Sequence, residues 1–323
     1  MTENPLQCPK CHTSNFVRIG WRILKCPGCG HEEEYLPSQY IGCIKNTDKD
    51  NKIENIKQLI RAGNPNMVVL LLPYLTDSDP FIVRSVETFL FNNKSCCEDI
   101  LINSFENLEP DVQIKFVGTL GLLQLKTIPD ILIKKMETRD EKLKIALIRT
   151  SGQICDKNAV PALLKLLNTA NEAEKREIII ALGNIGDKMG TPALLQILNT
   201  ADQNLKNLII ESLGKIGDIK AAGVIAFILV NNGNQKIRDT SAKALIRFDN
   251  PNVIDLIIDA VLLNTYLVIN PYLQKNLEKI LCHYGKESEQ LLIKEMAVHK
   301  PGTCFNNFGK KVLYKIDPKK YKR

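Results

Sequence analysis

Apolar positions in the middle of the chain fall on one helical face and return there 31 residues later. Ile178, Ile179, Leu182 and Ile185 come back as Ile209, Ile210, Leu213 and Ile216, a spacing that puts a stripe on one side of a helix. A shorter apolar run starts at Pro161 and returns at Pro192, with proline in the first helical turn, where its missing N–H has no partner anyway. Aligning 156–186 with 187–217 gives 17 identical residues of 31. Each period reads as two helices. A unit of that size can bury its apolar face only against its neighbours, which is the mark of a solenoid.

The punctuation agrees. Asn171 and Glu174 form a capping pair for the second helix, and Gly186 suits the left-handed turn that ends it. Asp202 takes the cap position in the next unit and Gly233 in the one after, both acceptable residue types there. Asp156, Asp187, Asp218 and Asp249 recur at the same interval, as do Gly121, Gly152, Gly183 and Gly214. Glycine inside a helix costs roughly 1 kcal/mol against alanine. Its return in register predicts close approach by the next helix in the stack. Weaker helix pairs extend the pattern upstream (67–75 with 81–91, 98–105 with 112–123, 131–136 with 143–154) and downstream (253–263 with 272–282, then 291–296). Cys155, standing where Gly186 stands one period later, is expected to be a buried thiol.

The stretch Leu182-Gly-Asn-Ile-Gly-Asp187 through Pro192-Ala-Leu-Leu-Gln-Ile-Leu198 resembles the short HEAT-like repeat of the bilin-lyase type, strongly over 125–250 and more weakly over 55–300. The resemblance implies an all-α fold, a superhelical α-solenoid of antiparallel helix pairs. It also implies a protein-interaction scaffold more readily than any one activity. Fold alone is a poor guide to function.

The N-terminus carries different chemistry. Cys8-Pro-Lys-Cys11 and Cys26-Pro-Gly-Cys29 are two C-x2-C knuckles with fourteen residues between them. Four thiolates at this spacing suit one tetrahedral Zn2+ with no open coordination position. The intervening 15–25 alternate in a β-rich manner that fits a hairpin. This end resembles a small β zinc ribbon, in which the metal supplies folding free energy on the order of 10 kcal/mol. His12 and His31 flank the knuckles as bystanders to a closed shell. The hairpin tip presents Arg18, Trp21, Arg22 and Lys25, basic residues with an aromatic that could stack on bases or grip phosphates. Trp21 packed on the ribbon is the plainer alternative.

These features divide the chain into a ribbon (1–36), a polar linker (37–52), a repeat solenoid (53–300) and a basic C-terminal segment (301–323). The formal net charge is +7, and most of it sits in the last segment. Lys310, Lys311, Lys315, Lys319, Lys320, Lys322 and Arg323 alternate there with apolar and aromatic residues. Such an end can bind a polyanion, so these residues and the ribbon tip are the candidate nucleic-acid contacts.

Composition is that of an ordinary globular chain, 44% apolar and 24% charged, with no apolar run near the ~20 residues that span a bilayer. The start lacks the layout of an export signal, which together with a thiol metal set predicts a reducing, cytoplasmic location. Three enzyme classes share the repeat. HEAT-repeat deoxyhypusine hydroxylases need several His-Glu pairs, whereas this chain has His31-Glu32. HEAT-like DNA glycosylases need aromatic residues and an acid in a basic groove, and bilin lyases act on a tetrapyrrole. Nothing local predicts those chemistries. The expectation is a non-catalytic scaffold that binds a protein on its concave face, with the ribbon as a second contact. No membrane or small-molecule partner is expected.

Overall fold

The computed structural model describes residues 17–18, 23–25, 29, 32–34, 56, 68–93, 102–123, 125, 127–263, 270–298 and 302–321. Cα packing divides the chain into two units, 1–125 with 138–147 and 126–137 with 148–323.

The first unit holds a three-stranded antiparallel sheet of β1 (Val17–Arg18), β2 (Ile23–Lys25) and β3 (Glu32–Glu34) in that order. It also holds α1 (Val68–Leu71), running into a 3-10 turn over Leu72–Thr76, and the helices α2 (Pro80–Asn92) and α3 (Pro110–Leu122). Proline opens α2 and α3, and Asp79 caps α2 by accepting from the Phe81 N–H at 3.0 Å. Val86, Leu90, Phe105, Phe116 and Val117 are buried in its core.

The second unit is the solenoid. After α4 (Asp130–Lys135) and the C-terminal half of α5 (Glu141–Ile154), whose first half belongs to the first unit, helix pairs follow as α6 (Val160–Leu167) with α7 (Glu172–Ile185) and α8 (Thr191–Leu198) with α9 (Gln203–Ile216). Next come α10 (Ala222–Asn231) with α11 (Gln235–Arg247), α12 (Asn252–Leu262) with α13 (Pro271–Tyr284), and α14 (Lys286–Val298) with α15 (Cys304–Ile316). The stripes read from the sequence are the core: Ile178, Ile179, Leu182, Ile209, Ile210 and Leu213 are all at most 1% exposed. Full burial of each such side chain stabilises by ~1.5–3 kcal/mol.

Second helices stack tightly on one another, α7 on α9 on α11, whereas α6 and α8 barely meet. The cause is the recurring glycine. A Cβ on Gly152 would lie 2.7 Å from the Ala181 Cα, one on Gly183 would lie 2.8 Å from the Ser212 Cα, and one on Gly214 would lie 2.8 Å from the Ala244 Cα. Glycine faces a small residue at every step, so the backbones come into near contact. A stack whose layers are spaced unequally curves toward the tighter one, which puts the second helices on the inner side over α6 to α9; beyond them α10 also packs closely on α12.

The capping pattern holds for two units and then slips by one residue. Asn171 Oδ1 accepts from the Glu174 N–H at 2.9 Å and Glu174 Oε2 from the Asn171 N–H at 3.1 Å, a reciprocal capping box. Asp202 accepts from the Leu205 N–H at 2.7 Å. The next cap is Asn234 rather than Gly233. Helix α10 has ten residues where α6 and α8 have eight, and the loop after it is one shorter. The shift carries forward. Asp156, Asp187 and Asp218 each cap the 3-10 turn that follows them; in the next unit the equivalent contact, at the start of α12, is made by Asn250, accepting from the Asn252 N–H at 3.0 Å. Asp249 instead takes the left-handed position (φ 46°) that Gly186 (φ 71°) and Gly217 (φ 69°) take earlier.

Cys155 occupies that same left-handed position at φ 60° and is exposed, contrary to the expectation of a buried thiol. It lies past the end of α5, where the chain turns outward. None of the described helices is long and apolar enough to cross a membrane.

Two substitutions test this account. Gly183→Ala should destabilise the protein by about 1–3 kcal/mol through overpacking, although alanine in an open helix interior would gain about 1 kcal/mol. Cys155→Gly should stabilise it by roughly 0.5–1 kcal/mol by relieving a left-handed non-glycine residue. Urea unfolding of the full chain checks both, and a more stable Gly183→Ala would refute the close-packing explanation.

Candidate functional site

The outward side of the second helices forms a solvent-open face across the second unit, and its side chains connect one helix to the next. Arg149 on α5 donates to Glu177 on α7. Lys215 on α9 donates to Asn184 Oδ1 on α7 at 3.1 Å and pairs with Glu211 at 3.4 Å. Asn276 on α13 donates to Asp239 Oδ1 on α11 at 3.0 Å. Beneath that contact the Tyr284 hydroxyl donates to the Leu245 carbonyl at 2.8 Å, locking α13 to α11. Along α5, α7 and α9 each carboxylate named here has a cation on the same face.

The C-terminal segment is part of this layer. Cys304–Ile316, set apart in the sequence as the start of a basic tail, is helix α15, and its apolar side (Phe305, Phe308, Val312, Leu313) is buried against α13 and α14. Thr303 caps it through the Asn306 N–H at 3.3 Å. Its lysines are partly spoken for. Lys311 pairs with Glu278 at 2.6 Å, Lys315 pairs with the same carboxylate, and Lys320 pairs with Glu289. The Tyr321 hydroxyl also donates to Glu289, at 2.6 Å. Lys310 and Lys319 point to solvent, and Lys322 and Arg323 lie outside the described residues. Sequence reasoning missed these contacts because the partners lie 31 to 37 residues away. The amphipathic spacing of Phe305, Phe308, Val312 and Leu313 was the available signal.

Glu278 is 7% exposed. Burial alone would push its carboxyl up, but the hydrogen bonds and charges of Lys311 and Lys315 outweigh burial and hold it below the usual carboxylate value.

At the other end, Cys8, Cys11, Cys26, Trp21 and Arg22 lie outside the described residues, and Cys29 is exposed in a turn. Among the described residues no cluster of three or more His, Cys, Asp or Glu could hold a metal. Among the described residues, Val17 pairs with Lys25 and Arg18 with Leu24. Lys25 also lies across from Glu32 on β3.

Residues 160–226, from α6 into α10, match the HEAT repeats family. Comparison with curated protein sequences gives no match. Among solved structures, an engineered protein aligns at 16% identity and TM-score 0.45, covering 87% of this chain and 88% of its own. The complex of CpcE and CpcF of phycocyanin lyase from Nostoc sp. PCC7120 aligns at 18% identity and TM-score 0.41, covering 77% and 95%. Kap121p bound to RanGTP aligns at 13% identity and TM-score 0.47, covering 87% of this chain and 36% of its own. None of these says what this chain binds.

The Glu278 pairs make a pH-dependent contribution. A carboxyl whose folded pKa is depressed stabilises above its unfolded pKa, near 4.5, and loses that contribution as pH falls through the lower folded value. Glu278→Gln should therefore cost about 1–2 kcal/mol at neutral pH. Below pH 4.5 the difference from wild type should shrink, as read by urea unfolding across pH.

Proposed function

We propose that the protein is a non-catalytic interaction scaffold that binds a protein partner on the inner, second-helix face of its solenoid. The observation that carries this reading is the face itself. It follows the second helices of the second unit, and its polar side chains are braced from helix to helix by the Arg149–Glu177 and Lys215–Asn184 contacts, with the buried Asn276 holding Asp239 further along. A braced, extended surface loses little side-chain entropy on binding, which is what recognition by a rigid partner surface requires.

The N-terminal module is read as a zinc ribbon that supplies a second contact. Cys8, Cys11, Cys26 and Cys29 would hold the ion as thiolates, and the ion's contribution is folding free energy for a segment too short to build a core. The setting is a reducing compartment, in keeping with unpaired-thiol chemistry.

Capture from native lysate, with and without nuclease, tests the scaffold when run on three forms of the full chain. Proteins that bind the wild type should survive nuclease and be lost from Arg176→Glu/Glu211→Lys on the second-helix face. They should persist on Lys165→Glu/Gln196→Glu on the first-helix layer. Retention that ignores the face variant would sink the reading. Elemental analysis should find one zinc per chain, abolished in Cys26→Ser, with the helical signal of the solenoid unchanged.

A further inference from the structure

The open face is not uniform in charge. On α5, α7 and α9 the carboxylates Glu177 and Glu211 neutralise Arg149 and Lys215. On α11, α13 and α15 the balance is lost. Lys243 and Arg247 on α11, Lys275 and Lys279 on α13 and Lys310 on α15 are all exposed, and none has a carboxylate partner among the described residues. Their placement on one face follows from the contacts between the helices. Asn276 reaches toward α11 and Glu278 toward α15, so the exposed arc between them, which carries Lys275 and Lys279, is the open side of α13. Lys243 stands one turn beyond Asp239, and Lys310 stands beside Lys311. At the far end a pocket of about 640 Å3 opens over α15, with Lys310, Lys311, Tyr314, Lys320 and Tyr321 in its wall.

Resting on the scaffold reading, we infer that this basic half of the face binds an acidic, Asp/Glu-rich segment of the partner protein. Charge complementarity selects the occupant: a cationic strip with no internal counter-charge gains most from a chain of carboxylates. The protein already shows the contact it would use. At this end two lysines converge on Glu278, and Lys320 with the Tyr321 hydroxyl converge on Glu289. Nucleic acid fits less well. Four of the five uncompensated cations are lysines, point charges without the planar fork that grips phosphate in two places. Among the described residues of this face, Tyr272 on α13, 64% exposed, is the one widely exposed Phe, Tyr or Trp that could serve as a stacking platform.

Fluorescence anisotropy on the full chain tests the assignment with three labelled probes: a Glu-Gly repeat peptide, its Gln-Gly counterpart, and an oligothymidylate of matching charge. The Glu-Gly peptide should bind, should weaken as salt is raised, and should bind better than both other probes. The variant Lys243→Glu/Lys275→Glu/Lys279→Glu, all at exposed positions, should bind it at least about tenfold more weakly. Lys188→Glu/Lys220→Glu, on the turns between helix pairs, should match wild type. Equal binding of the Glu and Gln peptides, or no effect of the triple variant, overturns the assignment. Tighter, face-dependent binding of the oligothymidylate overturns it in favour of nucleic acid. A negative peptide result beside a nuclease-resistant, face-dependent protein capture removes the acidic segment and leaves the scaffold standing.

Discussion

Close approach of successive second helices governs the solenoid. Gly152 against Ala181, Gly183 against Ser212 and Gly214 against Ala244 leave no room for a Cβ on the glycine side. Each glycine costs its helix about 1 kcal/mol relative to alanine. Burial of the flanking isoleucines and leucines, ~1.5–3 kcal/mol each, more than offsets that. Where the second helices are drawn together and α6 and α8 are not, the stack bends, and the second helices acquire an inner face. Stability is shared among many such interfaces, so the exposed side chains of that face are left to vary with the partner.

What those exposed side chains do differs along the stack. In the first pairs, Arg149 with Glu177 and Lys215 with Asn184 and Glu211 brace adjacent helices and cancel their own charge. Exposed ion pairs of this sort add little stability; their consequence is a face with fixed geometry and small net field. Toward the C-terminus the carboxylates run out, apart from Asp239 and Glu278, which are engaged with Asn276 and with Lys311 and Lys315. Docking of α15 thus consumes part of the positive charge of the tail and leaves Lys310 and Lys319 exposed. The same helix closes the end of the core, where Leu281, Leu292, Phe305 and Phe308 are all buried.

A one-residue slip at α10 shows how the repeat tolerates change. Two added residues in the first helix and one fewer in the loop shift the next cap to Asn234 and the next turn cap to Asn250. The core survives because the loop absorbs the change and the small residue that meets Gly214 becomes Ala244. Asp249 then falls in a left-handed turn, a conformation that aspartate accepts more readily than most non-glycine residues.

Much of this was legible along the chain, and the rest was not, for a physical reason. Period, stripes, the Asn171–Glu174 box, the Gly186 turn and the small-residue contact of Gly183 are local or recur at a fixed interval. A sequence therefore displays them directly. The four-cysteine spacing is of the same kind and stands as a proposal about zinc. The slip was hidden because Asp249 keeps the 31-residue interval by coincidence of type, while the backbone role passed to Asn250. Helix α15 was read as a charged tail because its counter-charges, Glu278 and Glu289, lie a full repeat or more upstream. The basic half of the face is likewise spread over three helices some thirty residues apart. Local hydrogen bonding and hydrophobic periodicity write themselves into neighbouring residues; pairing of charges across stacked helices exists only once the stack has brought distant segments together.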